Sequence, residues 1–358
     1  MFRISKRASI SFRRHLMIKT SAILLALLTL AIFLMLLGHN PIKVYGEMIN
    51  GSLGSAYRVK ETIKIAIPLT MTAIGILLAF KMKFWNIGAE GQIMMGAIGG
   101  TYIALYHTYL PTPILLLTML VVAAVLGGLW ALIPGFFKVR YDSNETLFTL
   151  MMNYIAIKIV VYLQFSLWKD PNGFGFAKIA QFDPKAVFPS IFGVHIGWVI
   201  TILLVAVVYL LINHTKLGYE ICVVGSSKNT AKYAGMNVDG TILKTVFLSG
   251  AIAGIVGIVQ ASAINGTLSV DVSGGYGFTA IIIAWLSGMS TLIIPITAFL
   301  FAILTQGAMF IQTAFQIPQS VAEILQAMIL IFALGSEFFT AYEIKRISLK
   351  DRKAGAYD

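Results

Sequence analysis

Residues 84–100 read FWNIGAEGQIMMGAIGG, and this stretch places polar groups between two apolar segments of the chain. Its first part, Asn86 to Gln92, holds two amides, a carboxylate and two glycines where an apolar run would otherwise be expected. Charged groups at membrane depth are rare and usually face a protein interior or a water-filled path, and glycines let a helix break. The stretch therefore predicts a broken-helix element that lines a substrate path. The alternative is a short loop whose polar groups lie among the lipid headgroups.

The composition is that of a membrane protein. The 358 residues are 58% hydrophobic and 12% charged, whereas a soluble domain carries roughly twice that charged fraction. The formal charge is +12, but the basic residues collect at the two ends and between apolar runs. This distribution indicates membrane topology signals rather than a nucleic-acid-binding face. The single cysteine, Cys222, excludes an intrachain disulfide and a cysteine-cluster metal site.

The residue patterns of an enzyme are missing from the sequence. There is no phosphate-binding loop of the form Gly-x-x-x-x-Gly-Lys-Ser/Thr, so the chain itself is not expected to hydrolyse ATP. The five histidines are far apart and fall at segment ends, which is not the spacing of a metal site. We expect no catalytic residue, no metal and no cofactor in this chain.

Ten apolar segments predict an all-α integral membrane protein with about ten transmembrane helices, in one domain over residues 16–341. The first segment follows a basic amino terminus and, at about 22 residues, is too long for a cleaved signal peptide. The eighth is too short to span alone, so it either starts before a glycine-rich break or is re-entrant. The segments are 16–37, 62–80, 88–106, 114–133, 147–168, 196–212, 243–264, 278–287, 292–311 and 320–339.

The basic residues predict on which side of the membrane each connection lies. With a cytoplasmic amino terminus (1–15), most Lys and Arg residues fall in cytoplasmic segments, as the positive-inside rule requires. The loops 38–61 and 169–195 are then extracytoplasmic, and the loop 214–242 is cytoplasmic. The basic tail, 342–358, returns to the cytoplasmic side, so both termini are predicted there.

Spans two to five and seven to ten predict two halves related as an inverted-topology repeat. The starts of corresponding spans differ by roughly 175–190 positions. Each half has a glycine-rich break at its second span, at Gly88 and Gly91 in the first half and at Gly274 and Gly275 in the second. Because the halves begin on opposite sides of the membrane, the repeat would be inverted.

Two other spans carry residues that interrupt the apolar pattern. The seventh holds Gly250-x-x-x-Gly254 with Gly257 one turn on, a spacing typical of helices that pack closely in lipid. The fifth holds Asn153 and Lys158, which lie five residues apart and do not share a helix face well. Lys158 is expected to pair with a carboxylate or to face a wet cavity.

The cytoplasmic loop contains a candidate docking helix. Residues 226–237 read SSKNTAKYAGMN, with capping serines at the start, small residues in the middle and Gly235 as a candidate carboxyl-terminal cap. A short helix with a small-residue face can dock into a groove on a soluble partner. The alternative is a plain solvated loop.

The motif NIGAEGQ (86–92), together with MMNYIA (151–156), resembles the permease subunits of nucleoside-type ABC importers. These belong to a wider family with simple-sugar and branched-chain amino-acid permeases, and the resemblance covers Thr62 to Ala341. It implies the inverted-repeat fold of type II ABC importer permeases in a bacterial cell membrane. Nucleosides are the expected cargo, with simple sugars or branched-chain amino acids as alternatives. An ion-coupled secondary transporter is less favoured, since no series of acidic residues crosses the spans.

The resemblance also implies partners and site residues. The expected partners are a second, related but non-identical permease, a cytoplasmic ABC ATPase that uses ATP and Mg, an extracytoplasmic substrate-binding lipoprotein, and membrane lipid, without nucleic acid. The polar side chains expected in the substrate path are Asn86, Glu90, Gln92 and Asn153, with Gly88, Gly91, Gly274 and Gly275 as structural breaks. The residues expected to contact the ATPase are Asn229, Thr230, Ala231, Ala234, Gly235 and Met236.

Overall fold

The computed structural model describes residues 2–6, 11–171, 173 and 177–346, and most of this part of the chain is α-helical. The helices of the described part are α1 (Phe12–Leu36), α2 (Pro41–Leu53), α3 (Ala56–Lys81), α4 (Ala89–Tyr106), α5 (Thr112–Tyr141), α6 (Glu145–Phe165), α7 (Gly197–His214), α8 (Lys216–Ser226), α9 (Lys228–Tyr233), α10 (Val238–Gln260), α11 (Tyr276–Leu286), α12 (Ile294–Phe315) and α13 (Gln319–Ala341). A π-helical turn, Ala261–Asn265, continues α10. The short strands are β1 (Phe2–Lys6), β2 (Ser190–Ile191), β3 (Val194–His195) and β4 (Tyr342–Arg346).

The helices confirm the prediction of an all-α membrane protein with about ten spans. Within the described residues, eight helices are long and apolar enough to cross a membrane: α1, α3, α5, α6, α7, α10, α12 and α13. The other two predicted spans are α4, whose first turn is polar, and α11, which has only 11 residues. At 1.5 Å per residue, α11 is about 16 Å long and covers about half of the hydrocarbon layer.

Two of the predicted loops contain helices. Residues 38–61 hold α2 and the first turns of α3, and residues 214–242 hold α8, α9 and the start of α10. The helix α2 buries Val44 and Met48 while Lys43 and Glu47 stay outside the core. Such amphipathic helices carry too few apolar residues to be separated from loops by hydropathy alone.

The chain divides into two compact units, Met1–Ser55 with Ile303–Asp358, and Ala56–Ala302. In the first unit, α1 packs against α13 and α2, around a core that includes Leu30, Leu34 and Ile311. The strands β1 and β4 pair antiparallel, with Phe2 opposite Arg346. The described ends of the chain therefore lie side by side, in segments that were predicted only as basic termini.

In the second unit, α10 packs against α3, α4 and α5, and glycines form the closest contacts. A Cβ atom added at Gly254 would collide with the carbonyl oxygen of Ala123 in α5. One added at Gly257 would collide with the carbonyl oxygen of Ile93 in α4. These contacts confirm the close packing predicted from Gly250-x-x-x-Gly254.

Candidate functional site

The stretch predicted to interrupt a helix does so. The helix α3 ends at Lys81, residues 84–87 have no regular secondary structure, and α4 begins after Gly88. The first N–H groups of a helix have no partner inside the helix. Gly88, the residue that precedes α4, has no side chain to supply one. The start of α4 therefore needs hydrogen-bond acceptors from elsewhere in the protein.

Asn153 in α6 supplies the missing cap of α4. Its Oδ1 accepts a hydrogen bond from the Gly91 N–H at 2.8 Å, and its Nδ2 donates to the carbonyl oxygen of Ile87 at 2.9 Å. One turn earlier on α6, the Thr149 hydroxyl accepts from the Ile87 N–H at 3.2 Å. A Cβ atom at Gly91 would lie 3.0 Å from the Cα of Asn153. Gly91 thus allows α4 and α6 to approach each other and lies inside α4, whereas Gly88 lies at the break.

Asn86 and Gln92 form a buried amide pair. The Nδ2 of Asn86 donates to the Oε1 of Gln92 at 3.1 Å, and the Nε2 of Gln92 donates to the Oδ1 of Asn86 at 3.0 Å. The same Oδ1 accepts from the Gly88 N–H at 3.0 Å, and the Nδ2 also donates to the Ser249 hydroxyl of α10 at 3.3 Å. Since both amides are buried, these bonds satisfy groups that would otherwise be costly to remove from water.

Glu90 reaches from the start of α4 to the start of α11. The helix α11 begins after Gly275 and has no side-chain cap of its own. The Oε1 of Glu90 accepts from the Gly277 N–H at 2.7 Å and from the Phe278 N–H at 3.4 Å. The hydroxyl of Ser273 also bonds to this carboxylate. The residue is only 5% exposed, so a buried carboxylate occupies the positive end of a helix.

The four predicted path residues therefore lie in one buried cluster and bond to groups within the chain. In this conformation they hold the starts of α4 and α11, and their contact with a substrate stays a prediction. Sequence reasoning missed Thr149, Ser249 and Ser273. Thr149 could have been found from its position one turn before Asn153. Ser249 lies 163 positions from Asn86 and has no local signal.

An aromatic cluster adjoins this network at the other end of α11. The ring planes of Trp85 and Trp285 are stacked, 6° apart, with centroids separated by 5.6 Å. The rings of Phe80 in α3 and Trp85 pack edge to face, with their centroids 4.9 Å apart. Trp85 is 36% exposed and Trp285 is 41% exposed. The segment 84–90 thus contacts both ends of α11, and the sequence indicated neither contact.

The candidate docking segment has the predicted caps. The Ser227 hydroxyl accepts from the Thr230 N–H at 3.2 Å and begins α9. At the other end, Gly235 has a φ of 74°, its N–H bonds to the Lys232 carbonyl at 3.0 Å, and the Met236 N–H bonds to the Ala231 carbonyl at 3.0 Å. This pair of bonds closes the helix with a left-handed glycine, which confirms the predicted capping role of Gly235.

Side-chain burial divides the residues predicted to contact an ATPase. Ala231 is buried against its own chain and Met236 is half-buried, whereas four residues are exposed: Asn229, Thr230, Ala234 and Gly235. The helix α9 also exposes Tyr233, at 93%, which the small-residue pattern did not identify. A polar pocket of about 430 Å³ beside Gly235 is lined by Lys216, Glu220 and Lys244, among others.

The outward face of α6 carries a charge within an apolar span. Lys158 is exposed there, with Tyr154 one turn before it and Tyr162 one turn after it. Asn153 faces inward toward α4, so Asn153 and Lys158 lie on different faces of α6, as their five-residue spacing predicts.

Comparison with known proteins identifies similar chains over most of the sequence. The family model described as "Branched-chain amino acid transport system / permease component" matches residues 59–334. The glucose ABC transporter permease protein TsgB13 of Haloferax volcanii is 32% identical over 90% of this chain and 88% of its own length. The guanosine ABC transporter permease protein NupP of Bacillus subtilis is 29% identical over 96% of this chain and 98% of its own length. The nucleoside ABC transporter permease protein NupB of Lactococcus lactis is 27% identical over 89% of this chain and 90% of its own length.

Proposed function

Because the chain belongs to the family of branched-chain amino acid transport system permease components, we propose that it forms the membrane path of an ABC importer for nucleosides. The structural observation that carries the transport role is the meeting of two broken helices, α4 and α11, in one buried polar cluster. Broken helices at the substrate site are a device of many transporters. The nucleoside cargo is supported by the similarity to NupP, which extends over nearly the full length of both chains.

Simple sugars are the second candidate cargo, because TsgB13 has the higher identity, 32%. Uptake of labelled guanosine into proteoliposomes that contain the complete transporter would separate the two. We expect unlabelled nucleosides to compete for uptake and glucose to leave it unchanged. If glucose is taken up and guanosine is not, the nucleoside assignment is wrong. If an ion gradient drives uptake by this chain without an ATPase, the ABC assignment is wrong as well.

The proposed ATPase partner, which would use ATP and Mg, would contact α9. Tyr233 is the proposed anchor of this contact. It is exposed in this chain, and tyrosines that become buried at an interface often contribute most of the binding energy. We expect Tyr233→Ala to weaken ATPase binding by about 2 kcal/mol, or roughly 30-fold. The matched control is Tyr109→Ala, since Tyr109 is a similarly exposed tyrosine (76%) in the connection between α4 and α5. Equal ATPase binding by the two variants would remove α9 from the interface.

The second permease, taken as a related but non-identical chain, would lie against the outward face of α6, with a wet path between the two chains. Lys158 supports this arrangement, since charged groups within spans face a path or a partner. In a Cys222→Ser background, a cysteine at Lys158 of the assembled transporter should react with a water-soluble thiol reagent. A cysteine at Ile202, an apolar exposed position of α7, should not. If the cysteines at both positions are equally protected from the reagent, the outward face of α6 contacts lipid.

The proposed topology has both termini in the cytoplasm and a substrate-binding lipoprotein on the opposite face. The pairing of β1 with β4 supports termini on one side, because paired strands cannot be separated by a membrane. In the same background, single cysteines at Ser5 and Ser227 should react from the cytoplasm and one at Ser190 from outside. Labelling of Ser190 and Ser227 from one face would contradict this orientation.

A further inference from the structure

We propose that α11 is the gate of the transport path and that Glu90 and Trp85 are positioning residues that hold it closed. The existence of a path rests on the proposed function. The contacts of α11 do not, because they belong to this chain alone.

The connections of α11 allow it to move as one body. It is preceded by Gly274 and Gly275, with φ values of 49° and 72°, and followed by Gly288 and Met289, with φ values of 60° and 56°. A Cβ atom added at Gly275 or Gly288 would meet nothing within 4 Å. These glycines therefore serve the backbone conformation rather than packing. Turns of this kind at both ends of a short helix can absorb a change in its direction.

The first contact that holds α11 is electrostatic. Its start approaches α4 so closely that a Cβ atom at Gly277 would lie 2.6 Å from the backbone nitrogen of Glu90. Each helix carries a partial positive charge at its start, so two starts repel each other when they meet. The Glu90 carboxylate lies in the first turn of α4 and accepts the N–H bonds of α11. One anion thus stabilises both helix starts in contact.

The second contact lies at the end of α11, where Trp285 stacks on Trp85. Phe278 and Trp285, seven residues apart on one face of α11, are 46% and 41% exposed. That face is therefore only partly covered within this chain. Trp85 lies in the connection between α3 and α4, and Glu90 lies in the first turn of α4. The segment 85–90 therefore contacts both ends of α11, which also packs against α3. Lys81 and Lys83 flank this segment and assign its Trp85 end to the cytoplasmic side.

A distance measurement tests the positioning role without any cargo. Spin labels at Phe278→Cys on α11 and Leu117→Cys on α5, in a Cys222→Ser background, report the position of α11 against the glycine-packed helices. We expect Glu90→Ala to broaden this distance distribution and add a shifted population. Glu90→Gln keeps an acceptor oxygen but not the charge, so it should produce a smaller change. Labels at Tyr102→Cys on α4 and Leu117→Cys serve as the control pair and should not respond.

The same distribution in Glu90→Ala and its parent would overturn the proposal. If Glu90→Ala does not fold, Trp285→Ala provides the second test, because this side chain is partly exposed and lies outside the buried polar cluster. This variant should also broaden the α11 distance distribution. An unchanged distribution would show that the tryptophan pair does not hold α11.

A cross-link tests whether movement of α11 is needed for transport. In a Cys222→Ser background, cysteines at Trp85 and Trp285 are joined by a short bifunctional methanethiosulfonate reagent, which forms a disulfide with each thiol and releases sulfinate. The cross-link should stop guanosine uptake by the complete transporter, and reduction of the disulfides should restore it. The same reagent on a single cysteine at Trp285 is the control. Equal uptake before and after cross-linking would show that α11 is not the gate. Absence of guanosine uptake in the unmodified parent would instead count against the proposed cargo, and the distance measurement would still decide the role of Glu90.

Discussion

Glycines between α4, α5 and α10 differ from glycines around α11, although both groups lie in the same unit. In the first group, Gly254 and Gly257 face the backbones of neighbouring helices, and an added Cβ atom would collide with carbonyl oxygens. In the second group, Gly275 and Gly288 have positive φ values and empty space around them. The first group is needed for close approach, and the second is needed for backbone conformation.

This difference separates a fixed part of the molecule from a part that can move. Helices whose backbones touch at several turns, as α10 does with α4 and α5, cannot shift without breaking many contacts at once. The close backbone contact of α11 with α4 is in its first turn, at Gly277. A short helix between left-handed turns can change direction by rotation at a few residues. A transporter needs helices that stay in place and a helix that can move, because its path must open and close.

The largest effect is expected in the glycine-packed region. Gly257→Ala places a methyl group against the Ile93 carbonyl oxygen, where no flexible side chain can give way. Overpacking of this kind typically costs about 1–3 kcal/mol, and we expect Gly257→Ala to exceed this range because only backbone can move. We expect a strong loss of folded protein and a lower unfolding temperature in detergent. Gly46→Ala in α2 is the matched control, since its Cβ would meet nothing within 4 Å. Equal stability of the two variants would refute the distinction between the glycine groups.

An effect of intermediate size on stability is expected when the pH is lowered, through protonation of His195. Burial, aided by the nearby Lys64 charge, lowers the pKa of His195 from 6.5 to about 4, and Gly197 donates to its Nδ1 at 3.3 Å. The unfolded chain therefore binds more protons between these values. The free energy of unfolding keeps its full value above about pH 6.5. It falls as the pH is lowered toward 4, by about 3 kcal/mol in all.

The measurement is thermal unfolding in detergent between pH 7 and pH 4, compared with His195→Gln, which cannot titrate. We expect the parent to lose more stability than the variant over this range. Parallel pH profiles for the parent and His195→Gln would contradict the depressed pKa.

The smallest effect is expected at the hinge glycines. Gly275→Ala must hold a φ near 72°, which costs a residue with a Cβ atom about 1–2 kcal/mol, and Gly275→Asn should cost less. Both variants should fold, since the space around the position is open. The readout is the unfolding temperature of each variant against the parent. A failure to fold as severe as that of Gly257→Ala would mean that α11 is packed as tightly as α10.

Local patterns predicted the helices, their interruptions and their caps. The apolar segments were found because burial in lipid requires a run of suitable length, and Ser227 and Gly235 because helix caps follow short-range rules. The same local reasoning failed for α2 and α8, whose amphipathic pattern has too few apolar residues. It also failed for β1 and β4, which pair across almost the whole chain.

By itself, the sequence determined that Asn86, Glu90, Gln92 and Asn153 need a special environment, because polar groups are costly in an apolar interior. Only the tertiary structure decided what they bind. Asn153 bonds to a backbone group 62 positions away, and Glu90 bonds to one 187 positions away. A buried carboxylate must find donors, but any exposed helix start in the chain could provide them. The choice of α11 depends on which helices pack together, which residue order does not state.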